Sequence, residues 1–200
     1  MSELRATVAI VRRHIDRRFA ADWAMQFLIV GTLAYIFAPS FDAAALPALA
    51  VLAAVGVAEA AHVRSLRRLT FFAVPLFGRQ LARAHAVAPA LGALSLPLGY
   101  AAGAAARGVV VVPERLVAAI CVVLVATLVA LSATFRDGRE RALYVALAIL
   151  AGIVPGVAAR YADPHPLRVV VALALVEGFF ALRAFGETLA RYDPLPESDA

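Results

Sequence analysis

The chain contains no lysine and only one cysteine, and both shortages limit what the protein can be. Cys121 has no second cysteine with which to form a disulfide in the chain, and its apolar surroundings predict that it packs as a small hydrophobic residue. Because lysine is absent, all 19 strongly basic side chains are arginines, against 14 acidic residues. The positions of the arginines are therefore the main evidence that charge gives about topology and partners.

Long polar stretches are missing as well. The longest separates the second and third apolar blocks and has about 22 residues, which is too few for a soluble catalytic domain. Hydrophobic residues make up 63% of the 200 residues, and the mean hydropathy is +0.84. Soluble globular domains contain about 45–50% apolar residues, so the composition predicts a single membrane domain over 1–200.

Six apolar blocks follow one another along the chain, and most of them have 18 to 21 residues. As α-helices of that length they measure about 27–32 Å, which matches the hydrocarbon core of a bilayer. We therefore predict an all-α polytopic fold with six transmembrane helices. The predicted spans are 24–41, 43–63, 86–106, 116–135, 142–159 and 167–182.

Arginines are distributed unevenly among the connections between these blocks. If both termini are cytoplasmic, 15 arginines lie on the inner side and only four, Arg107, Arg115, Arg160 and Arg168, on the outer side. This asymmetry follows the positive-inside rule and predicts a multi-pass protein of the cytoplasmic (inner) membrane. The net charge of +5 then indicates contact with anionic lipid headgroups, and no nucleic-acid partner is expected.

Residues 1–22 predict an amphipathic helix that lies in the membrane interface. Val8, Val11, Ile15 and Phe19 recur at helical spacing on one face, and arginines occupy much of the remaining surface. The alternative is a poorly ordered basic tail. Trp23, at the inner end of the first span, is typical of an interfacial aromatic belt.

The third span is rich in proline and glycine. Pro89 and Pro97 each remove a helical hydrogen-bond donor, so this span is expected to be irregular. Gly99 and Gly103 form a small-x-x-x-small pair, as do two glycines of the fifth span, and such pairs favour close helix packing. The alternative interpretation is that the irregular helix lines a substrate path.

Three ionisable residues near membrane depth are candidate functional side chains: Glu59, His62 and Glu177. Glu59 and His62 are three residues apart, so on a helix they share a face and can pair. The predicted spans put both glutamates nearer the cytoplasmic interface than the midplane. Such a carboxylate either takes part in binding a proton or a substrate, or it forms a hydrogen bond to a neighbouring helix or reaches water at the inner leaflet.

The sequence contains few of the residue patterns that are typical of enzyme active sites. Asp137 lies in a loop that is similar to part of the motif of CDP-alcohol phosphotransferases, but the further aspartates that would hold a divalent metal are missing. The four histidines lie in separate segments, and there is no zinc-ligand spacing, phosphate-binding loop or serine elbow. We predict that the chain is not an enzyme, with no catalytic residue, metal or cofactor.

The segment after the second span carries the most specific pattern. Glu59 near the end of the span is followed by a leucine- and arginine-rich stretch, two phenylalanines, and then a proline and an arginine before the third span. This order resembles the membrane permeases of type-two ABC exporters, in which an acidic residue closes the second span and a Leu-rich helix leads to a Pro-containing turn. The residues that match are Leu66, Arg67, Arg68, Leu69, Phe71, Phe72, Pro75 and Arg79.

The resemblance implies the transmembrane subunit of an exporter that works as a homo- or heterodimer beside a separate ATP-hydrolysing subunit. The loop after span two would dock a short amphipathic helix into a groove of that ATPase. The alternative for this loop is a surface anchor on the membrane. For the whole chain, the alternatives are a non-transport scaffold or accessory subunit, and an intramembrane enzyme acting on lipid.

Overall fold

The computed structural model describes residues 8, 11–12, 15–37, 45–59, 79–134, 136, 138–161 and 166–191. Within these residues the regular structure is α-helical, with no strand, in agreement with the predicted fold class. The helical segments are α1 (Arg17–Phe37), α2 (Ala45–Glu59), α3 (Arg79–Ala93), α4 (Ser95–Ala106), α5 (Pro113–Ala133), α6 (Gly138–Tyr161) and α7 (Pro166–Arg191). Only Leu94 separates α3 from α4, so these two segments are halves of one interrupted helix.

Four helices of the described chain are long and apolar enough to cross a membrane: Arg17–Phe37, His85–Ala106, Pro113–Ala133 and Leu167–Thr188. They correspond to the first, third, fourth and sixth predicted spans, and they indicate an integral membrane protein. The second and fifth predicted spans overlap α2, which has 15 residues, and α6, which has 24. Six crossings, with both termini in the cytoplasm, stay a prediction.

The start of α1 differs from the predicted boundary between an interfacial helix and the first span. Ile15 and Asp16 form a bend, and α1 runs without interruption from Arg17 to Phe37. The Asp16 carboxylate accepts a hydrogen bond from the backbone N–H of Phe19 at 2.8 Å, which caps the first turn of α1. Phe19 is 9% exposed and therefore belongs to the buried face of α1. An interfacial helix over 1–22 is not confirmed, because only parts of it lie among the described residues.

The third predicted span is interrupted, as its prolines predict. Pro97 has no N–H for the carbonyl of Ala93, and the helix reforms with a bond from the N–H of Leu98 to the carbonyl of Leu94 at 3.2 Å. The helix ends at Ala106, and Gly108 beyond it has a positive φ of 89° that allows the N–H of Val109 to reach back to the Ala104 carbonyl.

The core is built around α5, which packs against α2, α3, α4, α6 and α7. Its alanines and valines, including Val122, Ala126 and Ala130, are fully buried, and these small side chains let several helices approach one axis. On the outside, α6 presents a stripe of exposed Leu143, Leu147 and Leu150. Exposed apolar stripes of this kind are what a lipid-facing surface requires.

Helix α1 lies at one side of the bundle and packs mainly against α4. Gly31 lies against Gly99 and Gly103, so that a Cβ atom at position 103 would overlap the Gly31 carbonyl oxygen. The glycine pair predicted from the sequence therefore does allow close packing. At one end of the pair Trp23 reaches Leu91, and at the other Arg107 reaches the carbonyl of Ile36, so α1 and the α3–α4 helix run in the same direction.

Candidate functional site

A cleft opens beside the interruption in the third predicted span. It has a volume of about 230 Å³ and lies between α1, α2 and the junction of α3 with α4. We call it the junction cleft. Its lining residues are Gln26, Ile29, Val30, Leu52, Ala53, Gly56, Pro89, Gly92, Ala93 and Leu96.

Side chains supply hydrogen-bond donors to two backbone carbonyls at the junction. The indole N–H of Trp23 donates to the Leu91 carbonyl at 3.0 Å, and the Ser95 hydroxyl lies 2.7 Å from the Gly92 carbonyl. Carbonyls near a break in a membrane helix need such partners, because lipid offers none. Helix α1 is therefore held to the broken helix by hydrogen bonds as well as by glycine contacts.

Gln26 is the polar side chain that lines the cleft. Its Oε1 atom lies 3.0 Å from the hydroxyl of Ser95, a residue with 0% exposure. The Ser95 hydroxyl has a single proton but two acceptors within reach, the Gly92 carbonyl and Gln26. Whichever acceptor takes that proton, the Gln26 carboxamide keeps hydrogen-bonding capacity that no described residue uses, and a ligand in the cleft could use it.

The distortion of the third predicted span is local, because Leu94 keeps right-handed helical dihedral angles of φ −62° and ψ −23° and the backbone does not unwind there. Cavities beside irregular membrane helices are a recurrent place for substrate sites. The proline pattern of the third span predicted the irregularity, and the structure confirms it at Leu94. Sequence reasoning missed Gln26 and Ser95, and it took Trp23 for a belt residue only. The one signal in the sequence was that Gln26 interrupts an apolar span.

The coupling-loop residues predicted from the resemblance lie outside the described residues, apart from Arg79, which begins α3. His62 also lies outside them, and Glu59 is the last residue of α2. Of the partner-binding candidates, the structure thus describes Arg79 alone. Their role in binding an ATPase stays a prediction.

Glu177 lies deeper in its helix than the sequence indicated. The predicted span ended at position 182, whereas the apolar segment continues over Leu167–Thr188, so that Glu177 falls near its middle. The side chain is half-buried, and its buried Oε2 atom has no hydrogen-bond partner among the described residues. A carboxylate near the centre of a span costs on the order of 2.5–3.5 kcal/mol on insertion scales, so its retention favours a functional role.

We expect Glu177→Gln to lower the function of the chain in its native membrane while leaving its membrane abundance near the wild-type level. Glutamine preserves the size of the side chain and removes only its negative charge and its capacity to bind a proton. The matched control is Glu187→Gln on the same helix, since Glu187 is 57% exposed and pairs with Arg183 at 3.2 Å. If Glu177→Gln is as active as Glu187→Gln, the role of Glu177 is limited to helix packing.

The end of α7 is tied to the α5–α6 turn through Arg136. Its guanidinium lies 2.7 Å from the Glu140 carboxylate, 3.4 Å from the Thr188 hydroxyl and 4.2 Å from the centre of the Tyr144 ring. These contacts fix the predicted cytoplasmic ends of three helices relative to one another. In the part of the chain that the structure describes, no group of three His, Cys, Asp or Glu residues is placed to hold a metal ion.

Comparison with known proteins gives no match to a family model, a curated protein or a solved structure. Three features of the chain therefore bear on its function: the junction cleft, the Glu177 carboxylate and the sequence pattern after the second predicted span.

Proposed function

We propose that the chain is the transmembrane subunit of an ABC-type exporter in the bacterial inner membrane. In this proposal it crosses the membrane six times, keeps both termini in the cytoplasm and forms a homo- or heterodimer. A separate ATPase drives it through the loop after the second span. The observation that carries the proposal is the junction cleft, because a cavity at an interrupted membrane helix is what a transport pathway needs.

The six-span topology is supported by the parallel arrangement of α1 and the α3–α4 helix. When two membrane helices run in the same direction, the chain between them has to return across the membrane. Helix α2 occupies this part of the chain, and it packs against α5 and α6 within the bundle. The 15-to-4 distribution of arginines supports the cytoplasmic placement of the loop that follows.

The coupling role of that loop is supported by its composition. Leu66, Leu69 and Phe72 offer apolar anchors for a helix-in-groove contact, with Arg67 and Arg68 beside them. These 200 residues contain no phosphate-binding motif, and in this proposal a separate polypeptide supplies nucleotide hydrolysis.

The test is isolation of the chain from its native membranes in mild detergent. We expect an ATP-hydrolysing polypeptide to co-purify at a fixed ratio. In a Cys121→Ser background, a cysteine at Ala44 should react from outside with an impermeant thiol reagent, and one at Ser65 should not. Recovery of other membrane subunits without any ATPase would favour the scaffold alternative, and lipid turnover by the chain alone would favour the enzyme. Labelling of Ser65 from outside would contradict the topology.

A further inference from the structure

The residues that line the junction cleft limit the class of ligand that it can bind. None of the ten lining residues that the structure describes is ionisable, and most of them are aliphatic. A cavity of about 150 Å³ with apolar walls holds benzene, so by proportion 230 Å³ accommodates about nine carbon atoms. An ionised group in this cleft would meet no opposite charge from the described lining residues and would have to be desolvated at high cost.

The mouth of the cleft opens on the outer surface of the helix bundle, where lipid would surround a membrane protein. Ile29 on α1 is 52% exposed and Leu52 on α2 is 47% exposed, whereas Val30, Ala53 and Leu96 on the inner walls are buried. Both mouth residues lie near the middle of their helices, at a depth where the surrounding solvent is hydrocarbon. A ligand therefore enters sideways from the bilayer, between α1 and α2.

The polar end of the cleft is set by Gln26. This residue precedes Ile29 and Val30 on α1, so it lies on the side of the cleft towards Arg17, where α1 begins. Ser95 holds the Gln26 carboxamide at 3.0 Å, which orients it without using all its hydrogen bonds. The lining thus combines an aliphatic pocket with one neutral hydrogen-bonding group at one end.

We propose that the junction cleft binds a neutral single-chain amphiphile drawn from the bilayer, with its aliphatic chain among Val30, Ala53 and Leu96 and its uncharged polar group at Gln26. This inference rests on the proposed transport function in so far as the ligand is the substrate. Binding itself requires only the cleft.

The test uses a nine-carbon alcohol that carries a photoactivatable diazirine, added to the full chain in phosphatidylcholine nanodiscs. After irradiation, mass spectrometry should place the label on α1, α2 and the α3–α4 junction. Excess nonanol should compete with labelling, and ionised nonanoate should compete at least about tenfold less well because of the desolvation cost of its charge. Labelling spread evenly over the exposed stripes of α6 and α7 would overturn the proposal.

Two variants separate the chain pocket from the polar end. A Cβ atom at Gly56 would meet no atom within 4 Å, so this lining position has room for the start of a side chain, and the larger Gly56→Leu side chain should occupy part of the cleft and reduce labelling about tenfold or more. Val55→Leu, beside it but outside the lining, is the matched control and should label like the wild type. Gln26→Leu should weaken competition by nonanol about three- to tenfold and leave competition by nonane unchanged. Wild-type labelling of Gly56→Leu would overturn the proposal.

The outcome is separable from that of the proposed function, because labelling needs no ATPase. Competable labelling of the cleft by a chain that recovers no ATPase would uphold this inference and contradict the exporter. If an ATPase co-purifies with a chain whose cleft does not label, the exporter proposal would be upheld and this inference would be contradicted.

Discussion

Gly103→Ala is expected to destabilise the packing of α1 against α4 by about 1–3 kcal/mol, the usual cost of forcing an extra methyl group into a close-packed contact. A Cβ atom at position 103 would overlap the carbonyl oxygen of Gly31 and would lie 2.9 Å from its Cα atom. Those are backbone atoms, so no side-chain rotation relieves the overlap, and α1 has to move away. Because α1 packs mainly on α4, few other contacts hold it in place.

The single tryptophan reports this separation directly. Trp23 stacks on Phe27 with ring centres 5.4 Å apart and donates to the Leu91 carbonyl, so its emission should change when α1 leaves α4. The matched control is Gly56→Ala on α2, where the new methyl group meets open space. There alanine should be neutral or stabilise the helix by up to about 1 kcal/mol. Equal unfolding midpoints of the two variants in detergent would contradict the close contact at Gly103.

If the loop after the second span couples the chain to an ATPase as proposed, the double change Leu69→Ala with Phe72→Ala should remove that ATPase from the complex. Truncating a buried anchor of a helix-in-groove contact typically costs about 2 kcal/mol or more, which corresponds to some thirtyfold in affinity. Neither residue lies in a predicted span, so insertion and abundance of the chain should be unchanged. The measurement is the yield of ATPase that co-purifies with the variant.

A matched control removes the same two side-chain types from a lipid-facing surface. Leu175 is 70% exposed and Phe179 is 64% exposed on α7, so Leu175→Ala with Phe179→Ala should retain the ATPase. Recovery of the ATPase at wild-type yield with the Leu69 and Phe72 double variant would reject the coupling assignment. The loop would then be interpreted as a membrane anchor, and the scaffold alternative would be preferred.

The membrane class and much of the architecture could be predicted from the sequence, because hydrocarbon imposes local rules on the chain. A span must be apolar over about 20 residues, and a proline such as Pro97 removes a hydrogen-bond donor from the helix that contains it. The four helices that can cross a membrane all overlap predicted spans, and the interruption falls at Leu94, between Pro89 and Pro97. Close packing at Gly103 was likewise predictable, because only small residues let helices approach closely in lipid.

The candidate site was decided by the tertiary structure. Gln26 and Ser95 are 69 positions apart, and no local rule predicts that the carboxamide of one meets the hydroxyl of the other. The depth of Glu177 also depends on where α7 ends, and α7 continues past a charged residue, Arg183, at which the hydropathy pattern had predicted that the span stops. Hydropathy and helix-breaking residues act within one or two turns of the chain, so they determine which segments enter the membrane. Which faces of those segments meet, and where a cleft is left between them, depends on the shapes of side chains that are far apart in sequence.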